Sequence, residues 1–447
     1  MYPSLSQGPA SGILILIAVA GLTCAAWVLW SSSAQCLRAG QPPSAAVEAN
    51  HQPLPPPPAD EDVTQNASHL TRVDEPEHAA VDATTETVGA TGADSAQQPH
   101  QPPSPPRQLA GSVAKRNDDY TVGWICALVT EYVAAQLLLD EVHQGPQSLA
   151  ANDTNDYTLG RIAKHNVVIA VMPDGEYGLS SATGVVKDML HSFPNVRISL
   201  MVGIGGGAPS SQHDIRLGDV VVSAPRNGHS GVFQYDFGKA IGGQGFQTTG
   251  FLNQPPVLLR TALSGLRSHH EVHGHQIMET VRKLTRGGSK RLRLSYQRPD
   301  PSSDRLYRSE FAHPADAGTV DCQTSCGAEP ASLVKRQPRD LEEGEDPVIH
   351  YGLIASANTL MKDASIRDKF ANEKGVMCFE MEAAGLMNQF PCLVIRGICD
   401  YSDTHKNKEW QGYAAMTAAA YAKELLSRIP PRQIEAEARI TDVLGSR

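Results

Sequence analysis

From residue 120 onward, short apolar runs alternate with stretches of helical period. "YTVGWICAL" (120–128), rich in aromatic and β-branched residues, reads as a buried strand, and "TEYVAAQLLLDEV" (130–142) then switches to helical period. "DYTLGRI" and "NVVIAVM" form a strand pair around a turn at 164–166. "LSSATGVVKDMLHSF" (179–193) predicts an amphipathic helix ending before Pro194. "RISLMVGIGGGA" (197–208) is a buried strand running into a glycine loop, and "LGDVVVSAP" (217–225) is another strand. Residues 254–280 predict a helix. Residues 283–346 lose all period: they start basic, then turn irregular, and read as an insertion. Strand character resumes at "IHYGLIASANTLM", followed by a short helix in "SIRDKFANEKG", a strand in "VMCFEME", a helix in "AAGLMNQF" and a strand in "CLVIRGICDYSD". The alanine-rich "GYAAMTAAAYAKELLSRI" closes the pattern as a helix before Pro430-Pro431. Strands alternating with helices predict an α/β domain with a parallel or mixed sheet, spanning 118–430 with the insertion at 283–346 and a tail at 431–447.

The first 117 residues follow a different pattern. After a segment at 1–11, "GILILIAVAGLTCAAWVLW" (12–30) carries no charge and is long enough to span a bilayer as a helix. A cleaved signal peptide is the competing expectation, but "MYPSLSQGPAS" lacks the usual basic lead. Arg38, just after the span, favours a cytoplasmic C-terminal side. The expected localisation is therefore single-pass and membrane-anchored with a cytoplasmic domain; a soluble or secreted product after cleavage is the alternative. Residues 31–117 are rich in Pro, Ala, Gln and acidic residues. Such a segment buries too little apolar surface to offset its ordering entropy and predicts a disordered tether.

Composition narrows the function classes. The 447 residues are 41% hydrophobic, enough for a sizeable core. A net charge of −10 argues against a nucleic-acid binder. Eight cysteines do not make a disulfide scaffold, and Cys126, Cys378, Cys392 and Cys399 lie in apolar runs that suit buried thiols. His269, His270, His273 and His275 crowd a polar stretch that reads as solvated, and so does the basic run 282–298. Cys322 and Cys326 ("CQTSC") have no second cysteine pair nearby, so no metal site is expected.

The candidate chemistry sits where strands end, because ligands of parallel α/β sheets bind at carboxyl ends of strands. Glu131 follows the first strand; alone, a glutamate in a first helical turn stabilises the helix dipole. The glycine run 203–207 lacks the spacing of a dinucleotide fingerprint. Arg396 and Asp400 share one strand and could form a structural ion pair. Glu380 and Glu382 project together only if they lie at a strand end.

"FEMEAAGL" followed by "CLVIRGICDYSD" resembles the nucleoside phosphorylase and nucleosidase superfamily, which includes methylthioadenosine/S-adenosylhomocysteine nucleosidases. The glycine run, "LGDVVVS" and "YGLIASANTLM" match in the same order, over about residues 120–429. "GVFQYDFGKA" and "RGICDYSDTHKNKEWQGYAA" resemble the fungal branch, also found fused to NACHT and ankyrin-repeat receptors. The resemblance implies a three-layer phosphorylase/hydrolase-like α/β fold with a mixed central sheet flanked by helices. It implies cleavage of the N-glycosidic bond of a purine nucleoside. Glu382 would bind the ribose hydroxyls, Met381 would pack on the sugar, and Asp400 would serve purine N7. Glu131 would activate water and Arg396 would help hold it. Leu360 and Met361 would line the base pocket, Gly205 and Gly206 would admit the sugar or nucleophile, and Phe379 and Glu380 would complete the substrate side. No cofactor is implied, and a homo-oligomer is expected.

Two departures bear on the nucleophile. The family's phosphorylases carry an Arg where this chain has Met201 and a Ser or Thr where it has Ile204. The first strand's exit lacks the phosphate-cradling Gly and Arg and offers Glu131, which repels phosphate but can deprotonate water. Hydrolysis is expected, with phosphate-dependent phosphorolysis as the alternative. A module that senses nucleoside without turnover is the third expectation, weakened at this stage because no NACHT or repeat region follows Arg447.

Overall fold

The computed structural model describes residues 114–243, 245–314, 322–327, 329–339, 346–406 and 408–445. The first described strand falls in the first apolar run, 120–128. Strand β1 (Val122–Cys126) leads into helix α1 (Val129–Leu137), the short strand β2 (Glu141–Val142) and the hairpin β3 (Tyr157–Ile162) and β4 (His165–Val171). Helix α2 (Leu179–Ser192) precedes the long strand β5 (Ile198–Gly207), then β6 (Val220–Ser223), β7 (Val232–Gln234) and a small hairpin, β8 (Gly238–Ile241) with β9 (Gly245–Thr248). Helices α3 (Val257–His273), α4 (Ile277–Arg286), α5 (Lys290–Tyr296) and the four-residue α6 (Cys322–Ser325) follow. The chain returns through β10 (Ile349–Ser356), α7 (Ala364–Lys374), β11 (Val376–Glu380), α8 (Ala383–Leu386) and β12 (Leu393–Asp400). It ends in α9 (Gln411–Arg428), α10 (Pro431–Ala436) and α11 (Ile440–Gly445).

Among the described residues the main sheet runs β11-β10-β6-β12-β5-β1-β4-β3-β2, with β7 on β10. It is mixed: β1 pairs parallel with β4 and β5, and β12 pairs parallel with β5 but antiparallel with β6. Strand β11 also pairs antiparallel with β5, so the β5–β12–β6–β10–β11 part closes on itself. Every residue of β1 and β11 is buried; their side chains are apolar apart from Glu380, which is paired with Arg396. Helix α9 packs on β5 and β12 and against α1. Its alanines permit this: the Ala414 carbonyl occupies the space where a side chain at Gly397 would stand. The expected mixed α/β fold with flanking helices is the fold observed.

Four expectations need correction. The glycine run is strand, not loop: β5 extends to Gly207 because β12 holds it on one side and β11 on the other. The predicted helix 254–280 is two helices, broken at Gly274, where φ is +71°. The basic run within 282–298 is largely helical, in the end of α4 and in α5. The predicted tail returns to the core, where Ile434 and Ile440 are buried. The membrane-anchored localisation, and with it the membrane as a partner, is also withdrawn. No helix among the described residues is long and apolar enough to cross a membrane, and the stretch 12–30 that suggested one lies outside them.

Candidate active site

Strand β5 is the axis of the site. Arg396 on β12 lies opposite Gly203, Asp400 lies opposite Gly206, and Phe379 on β11 faces Gly206 from the other side. The glycines make room for the charges. A Cβ at Gly203 would collide with Glu131 Oε1 and stand 2.6 Å from the Arg396 guanidinium. One at Gly206 would collide with Ser402 Oγ and stand 2.6 Å from Asp400 Oδ1. A register shift between Ile398 and Asp400 re-aims the end of β12.

Arg396 is 1% exposed and is enclosed by carboxylates. Its Nη2 lies 2.5 Å from Glu380 Oε2 and 3.3 Å from Glu382 Oε2, and its Nη1 lies 3.9 Å from Glu131 Oε1. Glu131 sits in the first turn of α1. Its Oε2 accepts from the backbone N–H of Ala127 (2.7 Å) and Leu128 (3.1 Å), capping the helix, while Oε1 accepts from Ile204 N–H at 2.8 Å. The dipole role and the site role therefore belong to one side chain. Burial raises the Glu131 pKa, with Arg396 and these N–H donors opposing.

The paired glutamates of "FEMEAAGL" divide the work. Glu380 ends β11, and its carboxylate accepts from the N–H of Glu382 (3.1 Å) and Ala383 (3.0 Å) as well as from Arg396. It holds the turn and the guanidinium. Glu382 has left the strand to become the N-cap residue of α8, and its side chain remains 7% exposed. Burial pushes the Glu382 carboxyl up to about 7; Arg396 pulls it down, and Glu380 and Glu131 push it further up.

Asp400 is less enclosed. Its Oδ1 accepts from Ser402 N–H and from Lys406 Nζ, each at 2.8 Å. Ser402 turns the chain with φ at +53°, which brings its N–H back to Asp400. Its buried Oγ has no hydrogen-bond partner. Phe379 and Met361 are buried in an aromatic group with Tyr235, whose ring meets Phe379 edge-on at 5.6 Å and whose hydroxyl donates to Thr359 O at 2.5 Å. Leu360 does not join them and is 48% exposed. Met381 is half-buried, and its N–H faces Glu382 Oε2 at 3.3 Å. Met201 is buried in the main core. Gly205 is buried, its Cβ position 3.0 Å from Phe379 O.

The sequence reading missed several residues. Lys406 and Ser402 stand in the quoted "RGICDYSDTHKNKEW", where their distance from Asp400 gives no clue to contact. The insertion's span was legible, but its contacts were not. Arg336 donates to Tyr401 Oη at 2.7 Å, Tyr401 donates to Asp304, and Arg339 grips Asp219 with both terminal nitrogens at 2.7 and 2.6 Å. Cys322 and Cys326 also meet histidines, His313 and His405, rather than a second cysteine pair. A search for histidine partners would have found them.

The fold and site define an α/β protein with a buried carboxylate–guanidinium cluster at the ends of its central strands. No family model matches the sequence. The chain is 45% identical over 318 residues to a nucleotide-binding leucine-rich repeat (NLR)-like protein of Hyaloscypha variabilis, a match covering 71% of this chain and 30% of that protein. The chain thus spans less than a third of the length of this curated relative. Among solved structures it is similar to the futalosine hydrolase of Helicobacter pylori, at 15% identity and a TM-score of 0.42, over 69% of this chain and 97% of that one. It is similar to the 5′-methylthioadenosine/S-adenosylhomocysteine nucleosidase of Neisseria meningitidis at 15% identity and a TM-score of 0.42, over 69% and 98%. At such scores the likeness carries no argument about activity or substrate.

Proposed function

We propose that the protein hydrolyses the N-glycosidic bond of purine nucleosides, releasing free base and ribose. The observation that carries this is the charge arrangement. Arg396, the guanidinium within the cluster, is already matched by Glu131, Glu380 and Glu382, and the Lys406 ammonium is matched by Asp400. Phosphate would enter a field of surplus negative charge, while water carries no such penalty. Met201, buried in the core, supplies no cation, and Ile204 supplies no hydroxyl.

The roles follow from the chemistry. Bond cleavage builds positive charge on the sugar and negative charge on the purine. Glu382, ionised, accepts from the ribose hydroxyls and offsets the positive charge. Asp400 passes to the leaving base a proton that the Lys406 ammonium, 2.8 Å away, supplies to it. Glu131, whose pKa is raised by burial, is the stronger base for that reason and takes a proton from water. Ser402 Oγ offers an unused donor beside Asp400. Phe379 and Tyr235 supply apolar faces for the base.

The test uses the 447-residue chain with adenosine, inosine, guanosine and methylthioadenosine, with and without phosphate. Base release that needs no phosphate supports hydrolysis. Release only with phosphate, yielding ribose 1-phosphate, would overturn it. A second reading rests on the NLR-like relative: binding of a nucleoside without turnover, as a sensing module. Saturable binding with no base released from any substrate would favour that reading.

A further inference from the structure

The insertion carries a chemistry of its own. Within it, His313, Cys322 and Cys326 converge on His405, which comes from the loop after β12. One ligand atom from each residue lies within 4.8 Å of all the others. His313 Nδ1 is 3.1 Å from Cys326 Sγ and 3.4 Å from Cys322 Sγ, and His405 Nδ1 is 3.8 Å from Cys322 Sγ. Around a tetrahedral zinc, bonds of about 2.3 Å to sulfur and about 2.0–2.1 Å to nitrogen place neighbouring N and S atoms about 3.5 Å apart. The three distances bracket that value.

We propose that these four residues bind a structural zinc ion that staples residues 313–326 to the 400–406 loop. Two sulfurs with two imidazole nitrogens select zinc over hard cations. Four protein ligands leave no open position, so the site is structural rather than catalytic. The surroundings are built for it. His405 Nε2 lies 2.9 Å from Phe311 O; donating there leaves Nδ1 with its lone pair toward the cysteines. The His405 ring stacks on Tyr307 at 3.8 Å, which fixes its plane. Cys322, Cys326 and His405 are buried. On binding, both thiols release their protons to solvent, and the cation with two thiolates and two neutral imidazoles carries no net charge, as burial requires.

The site reaches the chemistry through the chain. Lys406 follows His405 directly and holds Asp400 at 2.8 Å, so the metal would fix the loop that places this ion pair. That consequence rests on the proposed nucleosidase reading; the metal site does not.

The experiment is metal analysis of the 447-residue chain, purified without chelator from zinc-supplemented medium, together with its Cys326→Ser and His313→Ala variants. About one zinc per chain is expected, and at least a tenfold weaker hold on it in either variant. Circular dichroism separates metal loss from failure to fold. Cobalt substitution of the wild-type chain should give the visible bands of a tetrahedral thiolate site, a readout independent of base release. Retention of no zinc, together with a cobalt titration lacking those bands, would overturn the proposal. So would a Cys322–Cys326 disulfide in chain isolated without reductant.

Discussion

Replacing Arg396 with methionine removes the charge at the centre of the site while keeping a long, apolar side chain. The guanidinium stands 2.5, 3.3 and 3.9 Å from the carboxylates of Glu380, Glu382 and Glu131. Breaking a buried ion pair by deleting one partner costs about 3–5 kcal/mol. Protonation limits the cost per carboxyl. From an ordinary pKa of about 4.3, neutralising one takes about 3.7 kcal/mol near pH 7 and about 1 kcal/mol near pH 5. Burial raises Glu131 and Glu382 even with Arg396 in place, and without it both rise further. A carboxyl whose folded pKa lies above its unfolded value is at no disadvantage below the unfolded pKa. Stability is then lost as pH rises through the folded value. We expect Arg396→Met to lower the unfolding free energy by about 3–5 kcal/mol near pH 7 but only about 1–2 kcal/mol near pH 5. Urea unfolding followed by fluorescence of the buried Trp124 and Trp410 measures both values. An equal loss at both pH values, or a loss below about 1 kcal/mol near pH 7, would refute the reasoning.

Two further predictions concern turnover. Asp400→Asn should lower kcat by at least about 10²-fold with little change in substrate binding, measured by base release and by equilibrium titration; unchanged kcat removes Asp400 from the chemistry. Glu382 must be ionised to accept from ribose, so kcat/KM should rise with pH through about 7, and Glu382→Gln should flatten that limb while weakening binding and turnover together. A limb that persists in Glu382→Gln belongs to another group.

Much of the fold was legible because its signals are local. The short apolar runs of β3 and β4 on either side of a turn, the helical period of α2 and the alanine run of α9 are written in neighbouring residues, and their boundaries agree within a few positions. The glycine run was misread for a physical reason. Glycine is usually a turn signal, but here the missing Cβ atoms leave room beside a strand for Glu131, Arg396, Asp400 and Ser402. Nothing local distinguishes the two uses.

The same division holds across the site. By itself the sequence determined the α/β alternation, the apolar core and the identities of the acids at the strand ends, since these follow from residue type and spacing. Only the tertiary structure decided their partners. Glu380 became the buttress and Glu382 the N-cap acid beside it because β11 stops between them, and Lys406 turned back onto Asp400. The insertion, blank in its periodicity, brings His313, Cys322 and Cys326 to His405, which lies 83 residues beyond Cys322. Ion pairs and ligand sets are contacts between distant segments, and their geometry exists only once the strands have closed around the core.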